Sequence, residues 1–432
     1  MQTGPAPRAR EGRRLWHHGD FLKLWAGQSV SQLGTQVTQL ALPTAAIMLL
    51  HAGPVQVGLL GALQYLAFPA LGLAVGVWAD RVRRRPLLIA ADALRMLALA
   101  SVPAAALLGV LSMWQLYAVA AIVGTGTVLF DVAYQSYLPV LVDRRDLVEG
   151  NSKLETTRWL AIVAGSAVAG FLIQLFRAAV AILVDAASYL VSMATVWWIR
   201  RPEPPHRADR GARPGFLREL WEGLQVTFGS PLIRLIVACS ATSNLGANLA
   251  TAVYLLFAYQ QLHLSPGEVG LVSAVGTSGA LLGAVLAVPI ARRLGVGPTL
   301  TVAAFAYGLG TLMLPLAAFG APLVVLPAGF FVIYLCNPLY DVNQVSLRQA
   351  IVPVRLQGRL NASARTVIRS MWPVGAAVGG LLGARIGYVP TLYTAAAVTL
   401  LAGVWLLLGP VGLKRIPVAP DDRTAVAQGA TR

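Results

Sequence analysis

Four aspartates lie inside long apolar stretches of this chain: Asp92, Asp131, Asp185 and Asp341. A carboxylate within an apolar segment long enough to cross a bilayer is costly, and by default it marks a functional position such as an ion or proton pathway. Arginines in similar stretches could neutralise these acids, namely Arg95, Arg158, Arg348, Arg365 and Arg369. The chemistry indicated is reversible charge pairing or proton binding, and structural salt bridges are the alternative.

Two stripes of polar side chains accompany these acids. The first repeats at positions i, i+4, i+8 and i+11, within an arc of ~80° on a 3.6-residue helix, and consists of Gln28, Gln32, Gln36 and Gln39. The second repeats that spacing 212 residues later, as Ser240, Asn244, Asn248 and Thr251. Amides facing lipid would lack hydrogen-bond partners, so both stripes must face protein or water. They either line a cavity or join helices by hydrogen bonds.

The elements that must position these residues are membrane helices. The 432-residue chain is 56% hydrophobic and only 12% charged, whereas soluble proteins carry roughly 25% charged residues. A helix that spans the bilayer needs about 20 apolar residues. Twelve runs qualify, at 22–50, 54–79, 86–109, 113–142, 151–176, 178–199, 231–260, 266–291, 298–318, 322–352, 361–383 and 388–409.

The basic residues are distributed in a pattern that predicts orientation. The net charge of +16 is spread over short clusters between apolar runs, which argues against a nucleic-acid-binding surface. Residues 1–23 and the turns that follow even-numbered runs are arginine-rich, whereas the alternate turns hold only Arg177 and Arg385. The positive-inside rule therefore predicts a multi-pass protein of the cell (inner) membrane with both termini in the cytoplasm.

The chain repeats itself on either side of a polar linker. Leu129-Phe-Asp131-Val is similar to Leu339-Tyr-Asp341-Val at an offset of 210 residues. Two six-helix halves in parallel repeat, with a site at their interface, are a transporter architecture. We predict a cytoplasmic segment 1–20, helical halves 21–199 and 231–409, a linker 200–230 containing an amphipathic helix at 215–224, and a cytoplasmic tail 410–432.

Asp131 and Asp341 occupy equivalent depths in the two halves. Asp131 lies eleven residues before the inner end of its run, roughly 16 Å along a helix of 1.5 Å rise. Arg158 and Arg369 enter from the adjoining helices at comparable depth, so one ion bridge is expected in each half. Asp92 and Arg95 join these four residues as candidates for proton coupling or ion pairing.

The turn between the second and third runs reads Gly76-Val-Trp-Ala-Asp80-Arg81-Val-Arg-Arg-Arg-Pro86. It resembles the loop signature between helices 2 and 3 of the major facilitator superfamily. Phe21-Leu-Lys-Leu-Trp-Ala-Gly-Gln and Gly150-Asn-Ser resemble the bacterial branch that includes the enterobactin exporter and macrolide efflux proteins. The resemblance implies an all-α membrane fold of twelve helices in two pseudo-symmetric halves, with helices 1, 4, 7 and 10 around a central cavity. It also implies that the loop motif holds the cytoplasmic face shut, through Gly76, Asp80, Arg81 and Arg84.

The same resemblance implies a function. It indicates a secondary active transporter that exports a small amphipathic molecule (a drug, antibiotic or siderophore-like compound) by alternating access and proton antiport. An importer or lipid-moving transporter of this fold is one alternative, and a membrane-embedded sensor or partner protein without transport is another.

Signatures of other chemistry are absent from the sequence. There is no ATP-binding phosphate loop, no nucleophile–base motif and no metal-spaced set of His or Cys. We therefore expect no enzymatic activity, no metal and no cofactor, with a proton gradient as the energy source. The expected partners are the lipid bilayer and a small-molecule substrate, without nucleic acid, and the protein is expected to be monomeric.

Overall fold

The computed structural model describes residues 15–79, 82–143, 146–201, 203, 225, 228–352 and 354–409. Within that part of the chain, twelve helices are long and apolar enough to cross a membrane, as predicted, and there is no strand. They are α1 (Gly19–Leu50), α2 (Pro54–Ala79), α3 (Arg84–Leu107), α4 (Met113–Leu141), α5 (Leu147–Phe176), α6 (Ala178–Trp197), α7 (Pro231–Leu256), α8 (Pro266–Leu294), α9 (Val296–Leu316), α10 (Pro322–Ile351), α11 (Val354–Ile386) and α12 (Tyr388–Leu407).

Local sequence explains where several of these helices begin. Proline stands in the first turn of α7, α8 and α10, where its missing N–H costs nothing. At the start of α8, Ser265 and Glu268 form a capping box: the Ser265 hydroxyl accepts from the Glu268 N–H, and the Glu268 carboxylate accepts from the Ser265 N–H at 2.7 Å. These signals place the helix starts within a few residues of those predicted.

Two helices begin four or more residues earlier than their apolar runs. The structure starts α5 at Leu147 rather than 151 and α11 at Val354 rather than 361. The added residues include polar ones such as Glu149 and Gln357, and a helix can continue beyond the apolar segment because its backbone hydrogen bonds are internal. Hydropathy locates the apolar part of a helix and not its end. The amphipathic helix predicted at 215–224 lies outside the described residues.

The contacts between helices divide the chain into two compact units. Unit 1 comprises residues 1–51 and 70–209, and unit 2 comprises residues 52–69 and 210–432. Thus the first part of α2 belongs by its contacts to unit 2, whereas the predicted six-helix halves kept all of α2 in the first half. Those domain boundaries stay a prediction.

The pattern of packing repeats from one unit to the other. In unit 1, α1 packs against α5 and α6, and α3 packs against α4 and α6. In unit 2, α7 packs against α11 and α12, and α9 packs against α10 and α12. Each pairing recurs six helices later, which agrees with the internal repeat seen in the sequence.

A strained residue joins α5 to α6. Arg177 has φ 67° and ψ 156°, a region that is essentially reserved for glycine, and the repeated position between α11 and α12 is Gly387 with φ 85°. Such a conformation costs of order 1–3 kcal/mol in a residue with a side chain. Glycine adopts this conformation without that strain, but its greater backbone freedom in the unfolded chain lowers the free energy of unfolding by roughly 0.5–1 kcal/mol.

We therefore expect Arg177→Gly to stabilise the protein by about 1 kcal/mol, or roughly 2 °C in the midpoint of thermal unfolding in detergent. Arg177→Ala is the matched control, because it removes the same charge and keeps the Cβ atom. If alanine raised the midpoint as much as glycine, the gain would come from the lost charge and not from relief of strain.

Candidate functional site

The glutamine stripe of α1 divides between buried and accessible positions. Gln28 is buried, and its Nε2 atom donates to Ser192 Oγ of α6 at 3.4 Å. Gln32 and Gln36 are half-buried, and Gln39 is exposed. Gln28 therefore forms a hydrogen bond between two helices, which is one of the two roles considered for the stripe. That the stripe lines a cavity stays a prediction.

The second stripe, on α7, lines open space. Asn244 lies at its centre, and Asn244 Oδ1 accepts from the Trp372 indole of α11 at 2.7 Å. Ser240 Oγ lies 3.1 Å from the hydroxyl of Tyr340 on α10. Asn248 is half-buried and Thr251 is exposed. Each of these four α7 residues lines one of two adjacent cavities in unit 2.

The two cavities measure about 260 Å³ and 230 Å³. They share four lining residues, which lie on α7, α9, α10 and α11 and are Asn244, Tyr307, Asn337 and Trp372. Sequence analysis identified only Asn244 of these four. Asn337 could have been found, because Asn337, Asp341 and Gln344 recur at helical spacing on α10. The two aromatic residues gave no signal, since aromatic side chains in an apolar helix look like ordinary core.

Aromatic rings surround Trp372. Its ring centroid lies 5.1 Å from that of Tyr65 and 6.4 Å from that of Phe68, both on α2 and both in edge-on geometry. The Arg369 guanidinium lies 4.4 Å from the Phe68 centroid. Of these residues, Tyr65 and Trp372 line the first cavity, where they offer apolar ring faces, and the Trp372 indole N–H is already engaged with Asn244.

Asp341 brings a carboxylate to the second cavity. It lines that cavity, it is exposed, and Gln344 Nε2 donates to its Oδ1 atom at 3.5 Å. The buried guanidinium of Arg348 interacts with it electrostatically. The predicted bridge between Asp341 and Arg369 stays a prediction.

In unit 1, Asp131 of α4 is half-buried and its charge acts on Arg95 of α3. Arg158 forms a two-pronged pair with Glu155 on its own helix, with N–O distances of 3.0 and 2.6 Å. The predicted bridge between Asp131 and Arg158 therefore stays a prediction, and Glu155 is a partner that sequence reasoning did not consider.

Arg95 belongs to a fully buried charge cluster. It forms an ion pair with Asp92 one turn away, and Asp185 of α6 also acts on it electrostatically. Its guanidinium lies between two rings, 4.5 Å from the Phe130 centroid and 4.2 Å from the Tyr189 centroid. The structure thus pairs Asp92 with Arg95 and brings Asp185 to the same cluster; a role of Asp92 and Arg95 in proton coupling stays a prediction.

The loop motif is only partly visible. Asp80 and Arg81 lie outside the described residues, and Gly76 lies within α2. The backbone N–H of Arg84 opens α3 and donates to both carboxylate oxygens of Glu203, at 3.0 and 3.1 Å. A carboxylate at this position satisfies the first free N–H groups of the helix. Glu203 lies in the proline-rich linker, so its sequence position gave no hint of this capping role.

Metal-binding geometry is not found in the described part of the chain, where no three His, Cys, Asp or Glu side chains group together. Cys239 and Cys336 are both buried and free. The groups available for recognition are therefore amides, aromatic rings, hydroxyls and the carboxylate–guanidinium clusters.

Comparison with known proteins identifies the family. A model of the transmembrane secretion effector family matches residues 16–419. Macrolide efflux protein A of Streptococcus pyogenes is 24% identical over 381 residues, covering 85% of this chain and 90% of that protein. YfiS of Bacillus subtilis, an uncharacterized MFS-type transporter, is 25% identical over 410 residues, covering 90% and 93%.

A solved structure shares the fold. A bacterial homologue of the iron transporter ferroportin, in its inward-facing state, aligns with a TM-score of 0.71 at 19% identity, over 90% of this chain and 98% of that one. Together with the twelve apolar helices and their repeated packing, these matches show that the chain belongs to the transmembrane secretion effector family of the major facilitator superfamily and is a multi-pass membrane transporter.

Proposed function

We propose that the protein exports a small amphipathic molecule, such as a drug, an antibiotic or a siderophore-like compound, out of the cell by alternating access. The observation that carries this proposal is the pair of adjoining cavities in unit 2. Aromatic faces of Tyr65, Phe330 and Trp372 offer apolar surface, while Asn244 and Asn337 offer amide groups. Pockets that combine apolar walls with a few polar groups suit amphipathic ligands. The macrolide efflux proteins among the relatives support export as the direction.

We further propose that protons drive this export. Asp131 and Asp341 stand at repeated positions, one in each unit, and each interacts with a nearby arginine. A carboxylate that exchanges an arginine partner for a proton gains or loses a charge, so its protonation can favour one conformation over another. The protein then works as a monomer in the inner membrane with a proton gradient as its energy source and without a cofactor.

Transport in reconstituted vesicles tests the proposal. Vesicles with an acidic interior should accumulate tritiated erythromycin from outside through the inside-out fraction of the protein, and collapsing the pH gradient with nigericin should abolish the accumulation. Erythromycin is a weak base that acid vesicles trap passively, so protein-free vesicles with the same gradient are the required control.

Absence of protein-dependent accumulation, for erythromycin and for a panel of amphipathic dyes and antibiotics, would contradict the proposal. A tight complex with another membrane protein in place of transport would favour the sensor alternative. Protein-dependent loss of compound from acid-inside vesicles would favour an importer.

The orientation is testable by cysteine labelling. Cysteines introduced at Gly53, Gly320 and Tyr388, in the turns that carry few positive charges, should react with an impermeant maleimide in intact cells. A cysteine at Ala208, in the basic linker, should react only after permeabilisation. Both native cysteines are buried, which keeps the background low. External labelling at Ala208 would overturn the proposed topology.

A further inference from the structure

The buried cluster of Asp92, Arg95 and Asp185 has an unbalanced charge. Asp92 and Asp185 are both 0% exposed and Arg95 is 5% exposed. Two carboxylates and one guanidinium leave one negative charge when all three are ionised, and burying an uncompensated charge is strongly unfavourable. One bound proton makes the cluster neutral.

The hydrogen bonding leaves room for that proton. Among the described residues, the Oδ2 atoms of both Asp92 and Asp185 have no hydrogen-bond partner. The opposite oxygen of each acid is engaged: Asp92 Oδ1 accepts from Arg95, and Asp185 Oδ1 lies 3.0 Å from the donating Ser188 Oγ. A buried carboxylate oxygen with no donor is costly, and a proton on that oxygen removes the charge that makes its burial most unfavourable.

The groups that face the cluster come from three helices, α1, α4 and α6. Asp131 of α4 acts on Arg95, and the phenol of Tyr189 on α6 lies against the Arg95 guanidinium. The Thr38 hydroxyl of α1 lies beside Asp185, and the Ser192 hydroxyl of α6 lies beside Asp92. Asp131 alone of these ionisable groups is partly exposed, which makes it the candidate route for a proton to reach the cluster.

We infer that Asp92 and Asp185 share one exchangeable proton, and that this site, reached through Asp131, binds the proton that drives transport. The inference of a role in transport rests on the proposed proton coupling. The step involves no electron transfer: an O–H bond forms at Oδ2 of either carboxylate with a proton taken from water, and it breaks when the proton returns to water. With the proton present the cluster is neutral. Without it, two carboxylates share the single positive charge of Arg95.

Infrared spectroscopy of the purified protein tests the site independently of transport. At neutral pH the wild type should show the C=O stretch of a protonated, deuterium-sensitive carboxylic acid, and Asp185→Asn should lose it. Asp143→Asn is the matched control, because Asp143 lies exposed just after α4 and outside the buried cluster, with a carboxylate oxygen 4.0 Å from the Arg201 guanidinium. Asp143→Asn should keep the band. A wild type without such a band, or an Asp185→Asn protein that retains it, would overturn the inference.

Transport of tritiated erythromycin then tests the role of the proton. Asp185→Asn should reduce pH-gradient-driven accumulation at least tenfold and leave downhill exchange of the compound within about twofold of wild type. Full gradient-driven accumulation in this variant would refute the role in transport. If the wild type shows the infrared band but no gradient-driven transport, the proposed function fails and the proton site stands.

Two milder variants keep the inference testable if Asp185→Asn does not fold. Ser188→Ala removes the hydroxyl that donates toward Asp185 and should move the pH midpoint of the infrared band upward. Gly126→Ala places a methyl group 2.6 Å from Cγ of Arg95, which displaces the guanidinium and should also move the midpoint. If the cluster only stabilises the fold, both variants should be less stable with no change in the pH midpoint of the infrared band. That result would overturn the inference.

Discussion

Asp131→Asn is expected to abolish transport driven by a pH gradient while preserving substrate binding and downhill exchange. Asparagine is close in size to aspartate but cannot take up a proton at neutral pH. Asp131 is the half-buried acid of α4 whose charge acts on Arg95, so its loss should remove the proposed route by which a proton reaches the buried cluster. The two cavities proposed to bind substrate lie in unit 2 and are not lined by α4, which is why binding should survive.

The equivalent variant in the other unit is the informative control. Asp341→Asn should reduce gradient-driven transport less, since only the first half combines its acid with the loop that contains Asp80. Accumulation of tritiated erythromycin in acid-inside vesicles, set against exchange without a gradient, measures both effects. The expected loss for Asp131→Asn is at least about tenfold, or ~1.4 kcal/mol.

Two results would identify Asp131 as a structural residue instead. One is full gradient-driven accumulation in Asp131→Asn. The other is misfolding of that variant together with recovery of folding when Arg158 is changed to Gln as well, because such recovery would show that the carboxylate serves only to balance that arginine.

Trp372→Phe is expected to weaken substrate binding roughly tenfold. Phenylalanine keeps an aromatic ring near Tyr65 and Phe68 but removes the indole N–H that donates to Asn244 Oδ1 at 2.7 Å. Asn244 is half-buried, and the loss of a donor costs an acceptor up to about 1–3 kcal/mol when the acceptor is fully buried. Trp372 and Asn244 both line the two cavities, so the released amide changes the shape and polarity of each.

Trp405→Phe provides a matched control. It also removes one indole hydrogen bond, to Thr242 Oγ1 at 3.2 Å, but Trp405 lines neither cavity and is 39% exposed. Binding of tritiated erythromycin to purified protein should change by less than about twofold in this variant. Equal losses in the two variants would mean that Trp372 acts through general stability and not through the cavity.

Several features of the fold follow from short-range sequence signals. Twelve apolar runs specify twelve helices because a backbone in lipid must satisfy its own hydrogen bonds. Asp131 recurs as Asp341, and the polar spacing from Gln28 to Gln39 recurs from Ser240 to Thr251. These repeats indicated a duplicated architecture, which the packing of α1 and α7 also shows. The number of helices follows from the composition of single segments, and the duplication follows from one sequence offset. Neither inference therefore needed tertiary information.

The composition of the sites depended on contacts between helices far apart in the chain. Asp185 joins Asp92 and Arg95 only because α6 packs against α3, and Trp372 reaches Asn244 only because α11 packs against α7. Helical periodicity shows which residues share a face of one helix, but it does not show which neighbouring helix covers that face. The sequence by itself therefore determined the class, the number of helices and the presence of buried acids. Only the tertiary structure decided which charges meet, since that depends on helix rotation and on close approaches such as the one at Gly126.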